Sequence, residues 1–332
     1  MFFLLSFELI GQSSLFQSDS VVHLKIEGDL TSCINDRDDE RKYHEIRVVH
    51  YLRNGDSVSL PMLARVRGNF RRRKSTCQFP PLRLKMADSV VLGTIFEGQK
   101  KLKLVTHCRG KNQNFEQKLF LEYLVYRSYN ILTEESFRVR MMEINYVNTG
   151  KRPYSRIHHG FLIEDDDDVA DRMGGIKMES GNVHPLRTDA LSANRVALFQ
   201  FMIGNTDWSI PAGHNVELII PGPGAPPKIV PYDFDWSGLV NAPYAEPNPM
   251  LDISTVRDRI YRGFCRDDSS LQATLVLFHS RKEELMELFS TYPYLTRLER
   301  NIAIRYIGEF YDIIEDPRRR QITIEDACRT NR

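Results

Sequence analysis

Between residues 22 and 107 the chain lays down five short apolar runs, at 22–28, 45–52, 58–68, 81–86 and 101–107. Runs of this length, the first of them alternating apolar with polar residues, read as strands rather than helices. Asn54-Gly55, between the second and third runs, reads as a hairpin turn because that pair accepts the positive φ angles of a tight loop. The first part of the chain is therefore expected to hold an antiparallel sheet. One long helix follows at 112–132, where Phe115, Leu119, Glu122, Tyr123 and Tyr126 recur at helical spacing. A further strand is expected at 137–147.

The second half has a different texture. A polar stretch at 148–160 leads into a strand-like "GFLIED" and the acidic patch Glu164 to Asp168. After a loop with Gly174, Gly175 and Gly181, the pattern turns helical at 193–204. Segments at 215–220 and 228–235 read as two short strands, joined by "PGPGAPP", which cannot be helical. Beyond residue 250 helices dominate: 254–264 with Ser254 as N-cap, 269–290, and 294–316 before Pro317. The expected organisation is an N-terminal piece at 1–20, a β-rich unit at 21–150, and a helical unit with one hairpin at 151–332.

With 332 residues and 42% hydrophobic content, the chain can bury a core large enough for two sub-domains. Lys and Arg total 45 against 44 Asp and Glu, so no global field draws it to nucleic acid or an anionic membrane. No apolar run reaches the roughly 20 residues of a membrane-spanning helix, and no transmembrane segment is expected. Residues 1–20 resemble the end of a secretory signal peptide, but they lack a basic region and a cleavage site and carry Glu8. A start codon called too late would explain this; export and a frayed N-terminal strand stand as alternatives. The five cysteines show no CxxC spacing, which argues against a structural zinc site. In an exported chain Cys77 and Cys108 are a plausible disulfide; in a cytoplasmic one they read as small buried hydrophobes. The odd count leaves at least one thiol unpaired.

Three polar clusters punctuate the apolar runs of the second half: Asn205-Thr206-Asp207, His214-Asn215, and Asp233-Phe234-Asp235. A helix delivers Asp207 to a loop, Asn215 opens a strand, and the returning strand carries Asp233 at its end. This order suits phosphoryl transfer from ATP, in which a carboxylate orients or takes the acceptor's proton while an amide and a carboxylate hold Mg²⁺ or Mn²⁺ against the phosphates. Asp207 is the candidate base, and Asn215 with Asp233 or Asp235 the candidate metal ligands. Such chemistry also asks for a lysine on a strand and a glutamate on the next helix. Lys85 and Lys103 are the strand candidates, and Glu122, in an otherwise apolar stretch of helix, needs a partner. A structural bridge from Glu122 to Arg138 or Arg140 is the plain alternative.

Taken together, "RVRGNFRRR" (65–73), "FPPLRLKM", the "KLKLV" strand, the Glu-bearing helix, "GNTDW…HN" and "PYDFDW" resemble the CotH-type kinase family, the atypical protein kinases named for a bacterial spore-coat protein. The resemblance covers roughly residues 60–240 and is strongest over 203–236. It implies an α+β, two-lobed protein-kinase-like fold and Mg-ATP-dependent phosphorylation of a protein Ser or Thr, or another hydroxyl acceptor. By position, Asp207 takes the catalytic aspartate role, Asn215 that of the metal-holding amide, and Asp233 that of the metal-binding aspartate. The chain departs from ordinary kinases in lacking a G-x-G-x-x-G loop and a His-Arg-Asp motif, and in the apparent insertion Pro211-Ala212-Gly213. "RGN", with Arg67, Arg71, Arg72 and Arg73, is what remains to cover phosphates. Transfer of AMP and a non-catalytic binding module of an extracytoplasmic assembly are the rival readings. A transition-metal hydrolase built on His214, or on His158 and His159 beside the acidic patch, lacks the spacing of a helical H-E-x-x-H site. Trp208 and Trp236 read as core packing beneath the clusters.

Overall fold

A computed structural model describes residues 15–52, 54–110, 113–179 and 183–330. The leader-like residues 1–14, Gly181 and the first residue of the expected 112–132 helix lie outside them. In chain order the elements are β1 (Val22–Gly28), α1 (Leu30–Asn35), β2 (His44–Tyr51), β3 (Ser57–Val66), β4 (Leu82–Lys85), α2 (Asp88–Val91), β5 (Lys101–Val105), α3 (Gln113–Leu132), β6 (Val139–Asn148) and β7 (Tyr154–Ile163). They continue as α4 (Asp166–Arg172), β8 (Ile176–Lys177), α5 (Ala190–Ile203), β9 (Val216–Ile220), β10 (Lys228–Pro231), α6 (Asp268–Ser280), α7 (Lys282–Ser290), α8 (Arg297–Glu315) and α9 (Pro317–Arg320).

The five expected N-terminal strands form, and alternate residues such as Ile26, Val48, Met62, Leu84 and Leu102 turn into one apolar core, joined by Ile144 of β6. Their sheet does not stay open. The strand order is β1-β2-β3-β4-β5-β7-β6, and β6 returns to pair with β1 in parallel, Val22 opposite Met142, closing a seven-stranded mixed barrel. This overturns the expected two-lobed protein-kinase-like fold: the observed architecture is a closed barrel, a three-stranded sheet ordered β10-β9-β8, and helices. Closure depends on a register between segments about 120 residues apart, which local periodicity does not encode. Half of the expected polar stretch at 148–160 belongs to β7, whose first residues face outward and are polar for that reason.

The opposite faces of β5, β6 and β7 supply Val105, Met141 and Phe161 to a second core shared with α3, α5 and the C-terminal helices. Helix α3 is apolar on nearly all sides, with Leu121, Leu124, Val125 and Tyr126 all buried, as befits a helix packed between layers. The expected helix at 254–264 does not form. Asp258 instead caps the amides of Ser254 and Thr255 at 2.7 and 2.9 Å, and the Arg262 guanidinium donates to the carbonyls of Thr206 and Trp208. These bonds give the backbone an alternative to the helix. No helix among the described residues is long and apolar enough to cross a membrane.

Candidate functional site

Helix α5 stops at Gly204, which takes the left-handed conformation (φ +64°) and donates back to the carbonyl of Phe201. The buried Asn205 then accepts from the Asp207 amide at 2.9 Å, a local turn that aims the Asp207 carboxylate. Pro211-Ala212-Gly213, read in the sequence as an insertion, forms a tight reversal closed by reciprocal backbone bonds between Ser209 and His214 of 3.0 and 2.9 Å. That reversal returns Asn215 to Asp207. The Asn215 amide donates to the Asp207 carbonyl at 2.7 Å and to its Oδ2 at 3.0 Å, while His214 Nε2 stands 2.8 Å from Oδ1.

Strand β10 delivers the third cluster. The Asp233 amide donates to Tyr126 Oη of α3 at 2.8 Å, and Phe234 is fully buried against the rings of Tyr126 and Phe199. Asn215 (φ +54°) and Asp233 (φ +60°) are two of four described non-glycine residues with positive φ. Asn and Asp tolerate this region best, and its concentration at two facing polar residues marks a conformation held by its surroundings.

Asp207, Asn215 and Asp233 line one cleft of about 450 Å³, together with Arg67, Phe70 and Trp236. Asp207 and Asp233 keep 38% and 41% of their side-chain surface open, so both carboxylates reach solvent in the cleft. The Arg67 guanidinium makes no side-chain hydrogen bond or ion pair among the described residues. Trp236 packs edge-on to Phe70, whereas Trp208 is buried in the core below.

The lysines fall elsewhere. Lys85 lines a separate, larger cavity of about 670 Å³ on the barrel, which shares no residue with the cleft. Its lining includes Glu27, Glu45, Arg47 and Lys85 among apolar residues, with Arg47 paired to Glu27 at 3.4 Å, but none of the Asp207, Asn215 and Asp233 cluster reaches it. Lys103 is buried beside the rings of Phe137 and Tyr232 and pairs with Asp166, not with Glu122. Burial lowers its pKa, against the opposing pull of Asp166.

Glu122 takes Arg71 instead. The Arg71 guanidinium holds Glu122 through two bonds of 2.8 and 3.0 Å, reaches Asp233 Oδ1 at 3.0 Å, and lies 3.2 Å from Asp235 Oδ2 through Nε. Arg138 and Arg140 serve other partners. Asp235 is buried and also accepts from Tyr244 Oη at 2.8 Å. Burial, opposed by Arg71 and reinforced by Asp233 and Glu122, pushes the Asp235 pKa up to about 8. Burial likewise raises Glu122 despite Arg71. Burial alone would lower Arg71, but Asp235 and Glu122 more than offset it and keep the guanidinium charged.

Four candidate residues, Asp207, Asn215, Asp233 and Asp235, thus line the cleft, with Arg67 and Arg71 on its wall. Asp235 is the buried one of the four, held by Arg71, and Glu122 lies outside the lining, behind Arg71. Arg71 itself was one of four clustered arginines in the sequence, with nothing local to single it out. The donor set suits a hard divalent ion at the cleft, because Asn215 and the open side of Asp233 offer oxygen ligands. The sequence matches no protein-family profile and no curated protein.

Proposed function

We propose that the cleft binds Mg-ATP, or Mn-ATP, and transfers a phosphoryl group to a hydroxyl acceptor such as a protein Ser or Thr, as the CotH-type resemblance implies. The observation supporting this reading is the convergence of Asp207, Asn215 and Asp233, from three separate segments, on one open cleft. The reading rests on that local geometry and not on a kinase fold.

Phosphoryl transfer asks a protein mainly for positioning and charge neutralisation. In this reading the acceptor oxygen bonds to the γ-phosphorus, the bond to the β–γ bridging oxygen breaks, ADP departs, and Asp207 takes the acceptor's proton. Each Asp207 oxygen already accepts one bond, Oδ1 facing His214 and Oδ2 facing Asn215. A carboxylate oxygen has two acceptor sites, so these contacts orient the group without exhausting it. Asn215 and Asp233 would hold the divalent ion, which supplies neutralisation of the phosphates. Arg67 adds a cation on the wall that has no ion-pair partner among the described residues.

Asp207→Ala is expected to lower transfer by about 10²–10⁴-fold while sparing nucleotide-dependent thermal stabilisation. Asp233→Ala is expected to lose the metal-dependent part of that stabilisation, which at 100 times the dissociation constant amounts to about 2.7 kcal/mol. Undiminished transfer in both variants would sink the assignment. ATP labelled at the α- or γ-phosphate separates AMP transfer from phosphoryl transfer by which label reaches the product. A second reading, a non-catalytic binding module, is favoured by one observation: Arg71 fills the acidic pocket behind Asp233. Absence of any Mg-ATP stabilisation in the wild-type protein would give that reading the lead.

A further inference from the structure

Glu122, Asp233 and Asp235 bring carboxylate oxygens within 4.8 Å of one another, the spacing of a divalent cation site. The space between them is taken. Arg71 donates to Glu122 through both terminal nitrogens, at 2.8 and 3.0 Å, and contacts Asp233 at 3.0 Å and Asp235 at 3.2 Å. A divalent ion bound by these oxygens would stand about 2.0–2.6 Å from each, inside the volume the guanidinium occupies. The pocket therefore admits one cation or the other.

Several features hold the arginine in place. Its backbone lies in the segment between β3 and β4, where Arg37 donates to the carbonyls of Arg72, Cys77 and Gln78 at 2.7–2.8 Å. The disulfide Cys77–Cys108 pins the same segment to the chain just beyond β5. The Arg71 side chain is only 10% exposed. A planar, permanently charged fork satisfies three carboxylates in fixed directions, which a hydrated ammonium does not do as well.

We propose that Arg71 is a tethered cation that replaces a divalent ion in the Glu122/Asp233/Asp235 pocket. Phosphoryl-transfer sites of the kinase type hold two metal ions. Here one of the two positions is built into the chain, and the cleft takes a single exchangeable ion on the Asn215 side of Asp233. The statement about that outer ion rests on the nucleotide reading above; the statement about Arg71 does not.

The test is a Mn²⁺ titration without nucleotide, followed by the paramagnetic resonance of free Mn²⁺ and by thermal unfolding. In the wild-type background, Glu122→Gln should change Mn²⁺ affinity by less than twofold, because Glu122 faces Arg71. In Arg71→Ala, one new Mn²⁺ site at least tenfold tighter than any in the wild type should appear, raise the unfolding midpoint, and vanish on adding Glu122→Gln. If Arg71→Ala folds poorly alone, Mn²⁺ should rescue its folding and Arg71→Lys should show the same gain in weaker form. Loss of wild-type Mn²⁺ binding by tenfold or more in Glu122→Gln would overturn the proposal. So would an Arg71→Ala protein that gains no Mn²⁺ site and is not rescued by the metal. Neither result bears on Mg-ATP binding, which is read separately by nucleotide-dependent stabilisation.

Discussion

His107 lies face to face with His158, ring centroids 3.7 Å apart, in a pocket completed by Phe79 and Tyr146. Its Nδ1 is buried without a hydrogen-bond partner among the described residues. Burial, helped by His158 and Arg156, pushes its pKa down to about 3 from an ordinary 6.5. A depressed folded-state value means that the stability it contributes is present above about pH 6.5 and is lost as pH falls toward 3. His107→Phe should therefore shift the acid-unfolding midpoint to lower pH; an unchanged acid limb would assign the sensitivity to other groups. At the same scale, Glu122 illustrates what spacing can and cannot reveal. Its place on an apolar stretch of helix showed that it needs a partner, but Arg71 is 51 residues away and the same guanidinium reaches Asp233 at a separation of 162. Pairings over such distances are products of the fold.

The element that positions Asp207 is the end of α5. Gly204 sits in the left-handed region, where a side chain is strained, and a Cβ there would overlap the hydroxyl of Tyr306 on α8. Gly204→Ala should destabilise the protein by more than about 1 kcal/mol, visible as a lower denaturation midpoint. On the proposed nucleotide reading it should also weaken stabilisation by Mg-ATP, by displacing the Asn205–Asp207 turn. A neutral outcome would show that the α5–α8 contact is soft. The hairpin of β9 and β10 was legible in the sequence because "PGPGAPP" forbids helix and the flanking runs are short. The helix expected at 254–264 was not, because its pattern suits a helix while Asp258 and Arg262 bond to the backbone instead.

At the scale of the whole molecule, two disulfides and barrel closure tie distant segments together. Cys77–Cys108 is the bridge the sequence suggested for an exported chain. Cys265–Cys328 spans 63 residues and joins the segment ahead of α6 to the chain beyond α9, beside paired backbone bonds between Gly263, Cys265 and Arg329. By loop-closure entropy the second bridge is worth about 4 kcal/mol. A Cys265→Ser/Cys328→Ser double variant should unfold at clearly lower denaturant, and reducing agent should then lower its midpoint by less than in the wild type. Equal midpoints for the two proteins under oxidising conditions would mean that the C-terminal segment is held by packing alone.

The local pieces can be read from the residues alone: the short N-terminal strands, the buried helix α3, the hairpin, and the order of Asp207, Asn215 and Asp233 around it. These follow from periodicity, turn chemistry and capping, which act over a few residues. Long-range packing sets the rest: β6 closes on β1 to make a barrel, Lys103 answers Asp166, and Arg71 occupies the acidic pocket formed by Glu122, Asp233 and Asp235. The physical reason is common to all three. Strand register and buried ion pairs are settled by the competition among all surfaces that collapse together, and charges removed from water take the partner that the packed backbone brings within reach.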